Sequence, residues 1–111
     1  MSHQYPRLQC NTGFNISVQA SSRSYCTPRT DTGPYTHVEL GFPSEPDDLI
    51  KSYAEDSADQ TGTVYGWVPA GILKALIIKH RGIKSGSHPV LSMDTEQSAL
   101  MAEALFKVND Q

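Results

Sequence analysis

No apolar run in this chain is long enough to cross a bilayer, and no signal-peptide core is present, so no membrane role is expected. Cysteine is scarce: Cys10 and Cys26 alone cannot make the disulfide framework of a small secreted domain. A cytoplasmic protein with reduced thiols is the economical expectation. The glycines form no Gly-x-Gly-x-x-Gly or Walker pattern, which removes the usual signs of a nucleotide cradle. His3, His37, His80, His88 and the two cysteines include no pair at short zinc-site spacing, so neither a structural metal nor a cofactor is expected. Internal repeats and low-complexity stretches are missing as well.

What remains is a chain of 111 residues with a net charge of −3, enough for one core and one domain. Its charge is unevenly placed. Between Glu39 and Asp59 the acids Glu39, Glu45, Asp47, Asp48, Glu55, Asp56 and Asp59 meet a single base, Lys51. Between Thr61 and Met93 the bases Lys74, Lys79, Arg81 and Lys84 meet no acid. Such two-sidedness suits steering of a partner and self-association into a homo-oligomer. The acid-rich chain disfavours direct binding of duplex DNA.

Periodicity sets out the elements. Phe14, Ile16 and Val18 alternate with polar residues, as do Val38, Leu40 and Phe42, so 14–20 and 35–42 read as paired antiparallel strands. Ser44 and Pro46 predict a first helix over 45–55. A third strand, dense in β-branched and aromatic residues, follows at 63–68. Apolar residues at helical spacing predict a second helix over 70–80, ended by Lys79, His80, Arg81 and then Gly82. Residues 83–93 read as a loop with a short edge strand at 89–92. Asp94 and Gln97 form a capping-box pair for a last helix over 95–108. Residues 1–12 form an N-terminal arm, flexible or packing late against the core. The order β-β-α-β-α-(β)-α predicts an α+β fold: a small, mainly antiparallel sheet of three or four strands, with about three helices on one face.

The most informative stretch is Ser21–Pro34, a long connector between the first two strands. Connectors of this length are uncommon in compact domains unless they carry function or are disordered. This one holds Arg23, Tyr25, Cys26 and Arg29. Two guanidinium groups and a ring are typical of protein-interface hot spots, and they also suit a phosphate and a base. Loop pinning of an arginine to Asp31 or to the acidic first helix is the simplest alternative. Cys26 with His37 is the one arrangement that suggests a nucleophile and its base, but no signature of a cysteine hydrolase surrounds it. Tyr65 and Trp67 share a strand face by alternation, either in the core, which strand aromatics favour, or as an exposed patch.

These features predict a non-enzymatic interaction protein that meets a protein partner through the 21–34 loop and a charged face, with Arg23, Tyr25, Cys26, Arg29 and His37 as contact residues. Size and the lack of motifs associate it with accessory proteins of phages and mobile elements, including anti-CRISPR inhibitors of host defence complexes. The alternatives are a binder of a nucleotide or other phosphorylated ligand, and a cysteine-dependent enzyme using Cys26 and His37.

Overall fold

A computed structural model describes residues 4–109. Five strands, β1 (Leu8–Cys10), β2 (Asn15–Gln19), β3 (His37–Gly41), β4 (Val64–Pro69) and β5 (Ile83–Ser85), form one sheet in the order β4-β3-β2-β1-β5. Every neighbouring pair in it is antiparallel. Among the described residues two α-helices, α1 (Ala70–Lys79) and α2 (Thr95–Asn109), complete an α+β fold. Alternation places Leu8, Ile16, Val18, Val38 and Leu40 inward, where they join Tyr65 and Val68 of β4 and Leu73 and Leu76 of α1 in one buried cluster. Helix α1 is buried along almost its whole length from Ala70 to Ile77, and α2 packs on it.

Four expectations need correction. The 45–55 helix is replaced by turns and a single 3-10 turn at Lys51–Tyr53. Asp47 explains the change. Its Oδ1 accepts the Leu49 N–H at 2.9 Å, an Asx turn that competes with helical bonding. Its carboxylate is also tied to α1, meeting Lys79 Nζ at 3.1 Å and His80 Nε2 at 2.8 Å. Residues 1–3 of the N-terminal arm lie outside the described residues; of its two readings, the flexible one fails at β1, which lies inside the sheet and pairs with both β2 and β5. The edge strand falls at 83–85, while Leu91 makes an isolated parallel bridge to Tyr35. Phe42 does not continue the inward face of β3: the strand ends at Gly41, and at φ 52° the Phe42 side chain turns outward.

The last helix begins as expected at Asp94, whose Oδ1 accepts the Gln97 N–H at 2.9 Å. Gln97 does not complete the capping box. Its Oε1 instead accepts the Gly71 N–H on α1 at 2.8 Å, a buried bond between the two helices.

Candidate functional site: an aromatic groove beside the 21–34 loop

Strand alternation alone would put Tyr65 and Trp67 on one face. The pairing of β4 with β3 changes that. Leu40 faces Tyr65 and Val38 faces Val68, so Gly66 and Trp67 together oppose Glu39. This is a β-bulge, a device that re-aims a side chain within a strand. Trp67 takes φ 50°, a left-handed conformation that costs a residue with a Cβ about 1–2 kcal/mol. As a result Tyr65 is wholly buried, while Trp67 is 49% exposed. Strain of this kind persists only where surrounding structure enforces it, and it concentrates at binding and catalytic sites.

The 21–34 loop is irregular but well tied. Ser21 Oγ and Ser24 Oγ lie 3.0 Å apart, and Asp31 Oδ1 accepts the Ser22 N–H at 2.8 Å. Thr27 bridges to His37 through backbone bonds of 3.0 and 3.3 Å. Tyr25 is held at both backbone polar groups. Its N–H donates to Glu39 Oε1 at 3.1 Å, and its carbonyl accepts the Trp67 N–H at 2.9 Å. The Tyr25 and Trp67 rings then stack with centroids 5.0 Å apart and planes 28° apart. Gly66 lies directly under Tyr25: a Cβ there would stand in ordinary van der Waals contact, 3.4 Å from Tyr25 Cβ.

Tyr25, Tyr53, Glu55, Gly66 and Trp67 line an open groove of about 270 Å³. The Arg29 guanidinium lies 5.7 Å from the centroid of the Tyr25 ring, within cation–π range. Arg23 and Arg29 are both exposed, and among the described residues neither enters an ion pair. Loop pinning is done by Asp31 on a backbone N–H, leaving the arginine heads free of that task.

Cys26 and His37, the other residues expected to make contacts, do not line the groove. Cys26 is 2% exposed, and its Sγ donates to the carbonyls of Ser21 at 3.2 Å and Pro28 at 3.3 Å. Burial pushes the thiol up; the hydrogen bond to the Ser21 carbonyl works against it, Glu39 adds to the rise, and Arg29 lowers it least. His37 is half-buried with Nδ1 2.9 Å from Thr36 Oγ1. The hydrogen bonds of Cys26 and His37 therefore lead to different partners, and no thiol–imidazole pair is formed among the described residues.

Sequence reasoning did not bring Tyr53 or Glu55 to this place. Ala54 bridges to Tyr65 and the Glu55 N–H donates to Val64 O at 2.9 Å, which folds the acidic segment against the open edge of β4. Only the failed helix frees those residues to do so, and no local pattern announces it. A second polar cluster was also hidden. The imidazole of His80 is buried, stacks on Phe14 at 4.1 Å, and lies between Asp47 Oδ2 at 2.8 Å and Thr12 Oγ1 at 3.0 Å. Its hydrogen-bond partners lie 33 and 68 residues from His80 in sequence, so no spacing could reveal it.

Among the described residues no cluster of acids, histidines and cysteines is placed to hold a metal, and no helix is long and apolar enough to cross a membrane. No family model, curated protein or solved structure matches the chain. The site's own chemistry therefore carries the functional conclusion.

Proposed function

We propose that this is a non-enzymatic interaction protein that binds a protein partner through the face built by the 21–34 loop and the β4 bulge. One observation carries the proposal: a strained backbone holds the chain's single tryptophan outward, stacked on a loop tyrosine. Exposed Trp, Tyr and Arg side chains on a fixed support are the residue types that dominate binding energy at protein interfaces. Preorganisation by the loop's hydrogen bonds lowers the entropy lost on docking. An inhibitor of a host complex, made by a phage or mobile element, is the biological setting in which a small motif-free domain of this kind fits.

The test compares wild type with Trp67→Ala and with the combined Arg23→Ala, Tyr25→Ala, Arg29→Ala protein in affinity capture from the native host. Far-UV circular dichroism verifies folding of each. A partner enriched by wild type and lost with both variants is expected. Equal capture by all three folded proteins would remove this face from the binding surface.

A further inference from the structure

Building on that interaction face, we propose that the groove beside Trp67 receives a cationic side chain, lysine or arginine, from a protein partner. Three aromatic rings and one carboxylate line the groove, and no lysine or arginine does. Ring faces are negative, and aromatic enclosures with an acid are a general solution for binding ammonium and guanidinium groups. Glu55 supplies the groove's negative charge. Its backbone is fixed against β4, yet among the described residues its carboxylate has neither an ion-pair nor a hydrogen-bond partner. Glu55 is exposed, so its solvated carboxylate beside the aromatic faces is open to an incoming cation.

Two further features narrow the occupant. The volume of about 270 Å³ lies below the ~300–1,000 Å³ usual for small-molecule sites, and suits one long side chain better than a nucleotide. Arg29 already rests on the Tyr25 ring, showing which sign of charge this aromatic pair attracts. Arg23 and Arg29 stand outside the groove and are exposed. They repel a uniformly basic partner and favour a single cation set in a neutral or acidic segment.

Trp67 is the chain's one tryptophan, so its fluorescence reports the groove directly. The probe is a capped nine-residue Gly/Ser peptide with a central lysine, compared with its arginine and glutamate counterparts and with free choline. Saturable change with the lysine or arginine peptide, and none with the glutamate peptide, is the expected result. Glu55→Gln should weaken it about fivefold and Tyr53→Leu about tenfold, the scale of an exposed ion pair and of a partly desolvated cation–π contact. Thermal melting checks that both variants are folded. No saturable response to either cationic peptide, an equal response to glutamate, or choline binding tighter than both peptides would overturn the proposal. If these peptides fail while partner capture still depends on Trp67, the interaction face stands and only its cationic occupant is lost.

Discussion

Trp67 concentrates the tension between backbone and function in one residue. Its positive φ opposes a side chain, while its ring is kept outward and stacked on Tyr25. Glycine has no Cβ to strain in that conformation. Trp67→Gly should therefore be about 1 kcal/mol more stable than Trp67→Ala, a reversal of the usual order within a strand. Urea denaturation of the two variants checks this, and an alanine variant equal to or above glycine would mean that the left-handed conformation is not enforced. The same residue explains why sequence left the aromatics of β4 undecided. Alternation assumes an uninterrupted strand, and the extra residue at the bulge separates Tyr65 from Trp67 in a way that the period-2 pattern of polar and apolar residues does not encode.

At the level of elements, the strands with clear alternation and the two helices with strong apolar spacing were legible within a residue or two. Strand β4, α1 and α2 match their expected spans because their local preferences and their burial agree. The elements that were missed are decided by tertiary partners. Strands β1 and β5 have three residues each, too few for a pattern. The 45–55 segment obeys Asp47, whose partners lie on α1. Gly71 is likewise decided by a tertiary partner, because it packs directly on α2. A Cβ there would come within 2.1 Å of the Gln97 carbonyl oxygen. Alanine normally favours a helix interior over glycine by ~1 kcal/mol. Here Gly71→Ala should instead destabilise by about 1–3 kcal/mol, since backbone must move to relieve the overlap. A denaturation midpoint at or above wild type would contradict this helix–helix contact.

Across the whole molecule, the acidic and basic halves of the sequence are not separate faces throughout, because Asp47 joins them through Lys79 and His80. Burial pushes the Asp47 carboxyl up, but hydrogen bonds from His80, the Leu49 N–H and Lys79, with the Lys79 charge, outweigh it and hold the group below its ordinary value. A depressed carboxylate stabilises the fold fully above its unfolded pKa of about 4. That contribution is lost as pH falls below 4 toward the lower folded value. Thermal melts across this window should show wild type losing stability more steeply than Asp47→Asn. Parallel curves would show that Asp47 does not link the 44–53 segment to α1. Around neutral pH, Asp47→Ala should cost about 1–3 kcal/mol, the penalty for leaving the buried His80 ring and the Leu49 N–H without their acceptor while half-buried Lys79 turns to solvent.

With its core secured in this way, the molecule can hold a strained and exposed aromatic platform at one end of the sheet order, where the loop and the 54–55 segment cover the β4 edge. Hydrogen–deuterium exchange of the free protein and of its complex with the captured partner tests that role most directly. The expected footprint is added protection at 23–29, 53–55 and 64–68. A tight complex that leaves those three segments unchanged while protecting α2 or β5 would contradict it.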